Sequence, residues 1–117
     1  MGMAGGAVGP GGFHGACWVA ARDVLDRVGL LDERFEGAFF EDDDLLARLR
    51  AARIPAKQVD SVHIESRRVG LTMSKIPEQA DRWYAANQRR FEEKWGWVPP
   101  PADAGLADDP EFRRSSR

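Results

Sequence analysis

The sequence predicts an α/β fold with a few strands and about three helices. In three stretches, apolar residues recur at spacings of three and four, which is typical of amphipathic helices. Residues 12–20 are small and apolar, and residues 56–65 alternate imperfectly between apolar and polar, so both are predicted as strands. With 117 residues, of which 43% are hydrophobic and 31% charged, the chain fits one globular domain.

Composition excludes several classes of protein. The net charge is −2, with 17 basic and 19 acidic residues, so the basic excess typical of nucleic-acid binding is missing and no nucleic-acid partner is expected. No apolar run approaches the roughly 20 residues that cross a bilayer, so no transmembrane segment is expected. Cys17 is the one cysteine and has no internal disulfide partner, which indicates a cytoplasmic location. We expect its thiol to be buried in the first strand.

The two ends of the chain differ in composition from its middle. Residues 1–11 are rich in glycine and nearly uncharged and are predicted to be a flexible lead-in. They lack the Lys-Ser/Thr of a phosphate-binding loop. Residues 98–117 contain prolines followed by Asp, Gly, Arg and Ser, which predicts a disordered tail. The folded part is therefore expected to be residues 12–97.

Three helices are predicted in order. The first lies at 22–28 and ends at Gly29, a typical residue for this position. The second covers 41–53 and ends before Pro55. The third begins at Pro77 and carries an aromatic stripe that predicts a core or interface position rather than a cofactor site. Its members are Ala80, Trp83, Tyr84, Asn87, Phe91 and Trp95.

Four consecutive carboxylates, Glu41 to Asp44, open the second helix. One interpretation is a stable first turn, because acids there face the positive end of the helix dipole. The other is a functional site. Asp42 lies three residues before Leu45 and seven before Leu49, so it is predicted to share their inward face, where a carboxylate is well placed to act as a base.

Four segments together resemble a known family. VGLLDERF at Val28–Phe35 is followed by FEDDDL at Phe40–Leu45, with GFHGACWVA at Gly12–Ala20 upstream and NQRRFEEKWG at Asn87–Gly96 downstream. In this order and at this spacing they resemble the C-terminal, acceptor-side half of family 2 glycosyltransferases, which have the GT-A fold. The acidic run is also similar to the galactosyltransferase C-terminal domain. The likeness covers about residues 11–97.

The resemblance implies a reaction and gives roles to the acidic residues. Such enzymes transfer a sugar, with inversion, from a nucleotide-sugar donor to an acceptor hydroxyl on a glycan, lipid or protein. By this likeness Asp42 is the catalytic base, Asp43 binds acceptor hydroxyls and Glu41 orients its neighbours. His14, in the strand that would form the floor of the acceptor pocket, is a further substrate-binding candidate, although a lone histidine also fits a structural role.

The resemblance also implies a divalent metal, Mn²⁺ or Mg²⁺. His63, which lies 21 residues after Asp42, takes the position of a histidine that binds the metal holding the donor diphosphate. Imidazole suits Mn²⁺ as one ligand among oxygens, but a strand histidine bonded to the backbone fits equally. Arg67 and Arg68 follow in a loop where they would contact phosphate oxygens bidentately, unless they are simply exposed charges.

The sequence departs from the family in one large respect. Complete enzymes of this kind carry a nucleotide-binding half with a DxD metal motif before these segments, and the sequence in hand does not. We therefore expect activity to need a separate or missing half, and we expect Val19, Val59 and Val62 to be exposed and to promote self-association. The alternative is a non-catalytic interaction module or inactive fragment that binds a partner through helix 77–95.

Overall fold

The computed structural model of the chain describes residues 8, 17–65 and 76–100. It contains α1 (Arg22–Val28), α2 (Glu41–Ala51) and α3 (Pro77–Trp95). All three predicted helices are confirmed. The predictions for most of the lead-in and for the tail beyond residue 100 lie outside the described residues.

The predicted α/β, GT-A-like fold is wrong, because the described part of the chain is helical. Residues 17–20 and 58–65 form no strand, and the described ranges show only an isolated bridge at Lys57 and a Val8 N–H that donates to the Ala56 carbonyl at 2.9 Å. Alternating apolar residues give a segment one apolar face, but a strand also needs a neighbouring strand to accept its ladder hydrogen bonds. The described residues supply no such neighbour.

The ends of the first two helices follow from local hydrogen bonds. Gly29 adopts a φ of 84° and its N–H donates to the Leu25 carbonyl at 2.8 Å, which ends α1. α2 ends two residues before the predicted boundary. Arg53 has a φ of 58° and Ile54 N–H donates back to the Leu49 carbonyl at 2.9 Å, the Schellman pattern that closes a helix.

The core lies where α3 packs against α2 and the loop that precedes it. Phe35, Phe40, Ala47 and Phe91 form its buried cluster, and Phe91 is fully buried. The Phe91 ring lies 5.9 Å from that of Phe40 and 5.0 Å from that of Trp97, centroid to centroid. Of the predicted stripe of α3, Ala80, Asn87 and Phe91 are therefore buried in the protein's own core, whereas Tyr84 is 37% exposed.

Several apolar side chains lie on the surface instead. Val19 is 96% exposed, Val59 51% and Val62 59%, which confirms their predicted exposure. Cys17 is also exposed and lies outside any strand, so the expectation of a buried strand thiol is wrong.

Within the described ranges, none of the helices combines the length and apolar character that a membrane crossing requires.

Candidate active site

The acidic run begins α2 in an unusual way. The residue that caps the helix, Phe40, provides no side-chain hydrogen bond to the first turn. Phe39 and Phe40 have φ values of 81° and 70°, in the left-handed region. That conformation costs an L-residue roughly 1–2 kcal/mol, so contacts elsewhere must stabilise this turn.

Asn87 of α3 supplies the polar part of those contacts. Its Nδ2 lies 2.9, 2.8 and 3.1 Å from the carbonyl oxygens of Glu36, Ala38 and Phe39, so its two N–H groups donate to three acceptors and one N–H is shared. Its Oδ1 accepts from Arg90 Nη1 at 2.7 Å. Since carbonyls only accept and a guanidinium only donates, these partners fix the orientation of the amide.

Aromatic side chains of α3 hold the same loop from its apolar side. The Tyr84 ring lies 5.5 Å from the Phe39 ring and 5.1 Å from the Phe40 ring. Gly37, with a φ of 74°, lies so close to the Trp83 indole that a Cβ at this position would overlap it. The direction of the first turn of α2 is therefore set by α3.

Asp44 is the most deeply buried of the four acids, with no solvent exposure. Its Oδ2 accepts from Arg48 Nε at 3.0 Å, and its Oδ1 accepts from Trp95 Nε1 at 2.9 Å and forms an ion pair with Lys94 Nζ at 2.7 Å. Arg48 also donates from Nη1 to the Val28 carbonyl at 2.7 Å. Asp44 thus joins α1, α2 and α3 through one carboxylate.

The charged network continues through Lys94 to the loop before α2. Lys94 Nζ donates to Asp32 Oδ2 at 2.8 Å, and Arg34 Nη2 donates to the same oxygen at 2.7 Å. The Arg34 guanidinium, with a smaller contribution from Lys94, holds the pKa of Asp32 well below its usual range. Asp32 therefore stays ionised and ties its loop to α3.

The other three acids are half-buried. The Asp43 N–H donates to Asp42 Oδ1 at 2.9 Å, which orients the Asp42 carboxylate. Burial, followed by the charges of Asp42 and Glu41, raises the pKa of Asp43 to about 7, and burial also raises the pKa of Glu41. This turn therefore offers a group that exchanges protons near neutral pH, as acid–base catalysis needs.

A shallow cavity of about 340 Å³ lies on the α3 side of the loop before α2. Its lining residues are Arg34, Phe35, Glu36, Arg90, Glu93 and Lys94. Glu41, Asp42 and Asp43 do not line it. The half-buried acids and this cavity are therefore separate features.

No family model, curated protein or solved structure matches this chain. The glycosyltransferase assignment therefore stays a prediction from the quoted residues.

The remaining predicted site residues lie away from a recognisable site or outside the described ranges. His63 is exposed, and within residues 17–65 and 76–100 no three His, Cys, Asp or Glu side chains are placed to hold a metal ion. The described surroundings of His63 therefore do not fit a complete metal site. The substrate-binding candidates His14, Arg67 and Arg68 lie outside the described residues.

Two residues that organise the site were given no role by the sequence. The sequence predicts Asp44 only as part of an acidic helix start, although Arg48 follows it by the four residues that favour an ion pair. The sequence predicts Asn87 as a member of the aromatic stripe and as the start of the NQRRFEEKWG segment, without a hydrogen-bonding role. A polar amide at a core position was the available signal, because such groups are buried only with hydrogen-bond partners.

Asp43→Asn is expected to change how stability depends on pH. The pKa of Asp43 is raised from 3.8 to about 7 in the folded chain, so folding favours the neutral carboxyl. The stability of the wild type therefore falls as the pH rises between these two pKa values. At pH 8 the variant should be more stable than the wild type by on the order of 1 kcal/mol, a value kept small because water reaches this carboxyl.

Urea denaturation of both proteins at pH 4 and pH 8 measures this effect. The expected advantage of the variant appears at pH 8 and vanishes at pH 4, where the wild-type carboxyl is neutral in the folded chain. An equal difference at both pH values would show that Asp43 titrates as an ordinary exposed acid.

Proposed function

We propose that this chain is the acceptor-side part of an inverting glycosyltransferase. In this proposal Asp42 is the base, Asp43 binds acceptor hydroxyls and Glu41 orients the pair. The supporting observation is that α3 holds the segment directly before α2 with Phe39 and Phe40 in the left-handed region, while three acids of the first turn stay half-buried. A turn that only capped a helix would need neither the strain nor the partial burial.

The proposed reaction is a single displacement. Asp42 takes the proton of the acceptor hydroxyl while the hydroxyl oxygen bonds to the anomeric carbon of the donor sugar. The bond from that carbon to the nucleoside diphosphate breaks and the diphosphate leaves with the electron pair. Asp43, whose pKa is raised to about 7, exists in both protonation states near neutral pH and so is able to donate to or accept from a sugar hydroxyl.

The donor side of the reaction is also part of the proposal. A nucleotide-binding part, on the same protein or on a second chain, would bind the nucleotide sugar. A divalent metal, Mn²⁺ or Mg²⁺, would supply charge neutralisation of the diphosphate when bound. Within this chain His63 would provide one ligand, and Arg67 and Arg68 would contact phosphate oxygens. The single, exposed Cys17 supports a cytoplasmic location for this activity.

Sugar transfer by the full protein, in its native complex, tests the proposal. The assay combines a panel of nucleotide sugars with glycan, lipid and peptide acceptors in the presence of Mn²⁺. Asp42→Asn is expected to lower turnover by about 10²–10⁴-fold, the usual contribution of a general base. Asp81→Asn, an exposed acid of α3, is the matched control and should leave turnover unchanged.

Two outcomes would contradict the proposal in different ways. If the wild-type protein transfers no sugar from any donor, the assignment to the transferases is wrong. If transfer occurs and Asp42→Asn keeps it, the reaction stands but Asp42 is not its base. Loss of turnover in the Asp81 control would point to a general effect of removing charge.

A further inference from the structure

Asn87 combines features that a packing residue does not need. It is fully buried, and an apolar residue of similar size would fill the same volume without losing hydration. Instead its amide donates to three carbonyls of a loop about fifty residues earlier in the sequence, the separations being 51, 49 and 48 residues. Its acceptor oxygen is held in turn by Arg90.

The three carbonyls belong to a segment, residues 36–40, that contains an unfavourable backbone conformation. Phe39 and Phe40 are left-handed without being glycine, and Phe40 does not cap α2 through its side chain. The Phe40 carbonyl nevertheless accepts the Asp44 N–H at 2.9 Å, which forms part of the first turn. The position of the turn therefore depends on how the preceding loop is held.

We infer that Asn87 is a positioning residue for the acidic turn. By binding the carbonyls of Glu36, Ala38 and Phe39, it keeps the left-handed pair in place and so directs the carboxylates of Asp42 and Asp43. The predicted effect of Asn87 on turnover rests on the proposed function. The predicted effect of Asn87 on the position of the turn does not depend on that function.

The central test is Asn87→Ala in the full protein, with Gln88→Ala as the control amide one residue along the same helix. The expected result is a kcat about a hundredfold lower, the scale of a misplacement of about 1 Å, with the KM for the nucleotide sugar unchanged. Amide hydrogen exchange should show faster exchange at Asp44, while amides in the middle of α3 keep their wild-type protection. Gln88→Ala should match the wild type in both measurements.

Each alternative outcome has a distinct meaning. Equal loss of protection throughout the three helices would show that Asn87 only stabilises the fold, and the inference would be overturned. Wild-type exchange at Asp44 in the variant would also overturn it. If the wild-type protein transfers no sugar, the proposed function fails, yet the exchange pattern still decides whether Asn87 positions the turn.

A second variant covers the case in which Asn87→Ala does not fold. Arg90→Ala leaves the three carbonyl contacts possible but removes the donor that holds Asn87 Oδ1 at 2.7 Å. It should increase exchange at Asp44 in the same direction, by a smaller factor, with α3 intact. No change at Asp44 in this variant would count against the positioning role.

Discussion

Asp44→Ala is expected to lower the free energy of unfolding by about 3–5 kcal/mol, the usual cost of removing one partner from a buried charge pair. Asp44 has no solvent exposure, and its loss would leave Arg48, Lys94 and the Trp95 N–H without their shared acceptor. A loss of this size is comparable with the whole stability of a small domain. The variant is therefore expected to be largely unfolded near room temperature.

The chain offers a matched control for this experiment. Arg22 and Asp26 form a second ion pair at a spacing of four residues, 3.7 Å apart, with side chains 90% and 71% exposed. Asp26→Ala should change stability by less than about 1 kcal/mol, because water screens an exposed pair. Urea denaturation measures both variants, and similar losses in the two would contradict the central position given to Asp44.

Phe91→Ala is expected to cost about 3–5 kcal/mol through lost burial and the cavity that remains. Phe91 is fully buried, and its ring packs against those of Phe35, Phe40 and Trp97. These contacts join α3 to the loop that carries the acidic turn. The variant should therefore lose helical circular dichroism at a lower urea concentration than the wild type.

Leu30→Ala provides the comparison for the core variant. Leu30 is 72% exposed, so its truncation should change stability by no more than about 0.5 kcal/mol. A cost for Phe91→Ala close to that of Leu30→Ala would show that α3 is not packed as described. A Phe91→Leu variant should fall between the wild type and Phe91→Ala, since it leaves a smaller cavity.

The helices were predictable because their signals are local. Acidic residues begin α2, glycines follow α1 and α3, and apolar residues repeat at helical spacing, all within a few neighbouring positions. Strands depend on partners elsewhere in the chain. The alternation around Val59 and Val62 predicted a strand but could not reveal whether any neighbouring strand would pair with it.

The acidic site was found for a similar local reason and assigned incompletely. Helical phase placed Leu45, Leu46 and Leu49 inward, and all three are buried. It also placed Asp42 on that face, whereas the fully buried acid is Asp44. The difference arises because Lys94 and Trp95, from a helix half the chain away, provide the donors that make burial of a carboxylate favourable.

The site therefore divides into two groups of residues with different tasks. Asp44 and Asn87 are fully buried and hold the turn against α3. Glu41, Asp42 and Asp43 are half-buried, and in the proposed function an acceptor hydroxyl would approach them from solvent. Substitution of Asp44 should act on folding, and substitution of Asn87 on the position of the turn. Substitutions in the second group should act on chemistry and pH dependence.

The first turn of α2 is thus described as a partly desolvated acidic site and more than a helix cap. A carbon-detected NMR titration of the side-chain carboxyls of the wild-type chain tests it directly. We expect Asp43 to titrate with a midpoint of about 7. We expect Asp32 to stay ionised at pH values well below the pKa of an ordinary aspartate. A midpoint for Asp43 near the ordinary 3.8 would contradict the account and leave a solvated, well-capped helix.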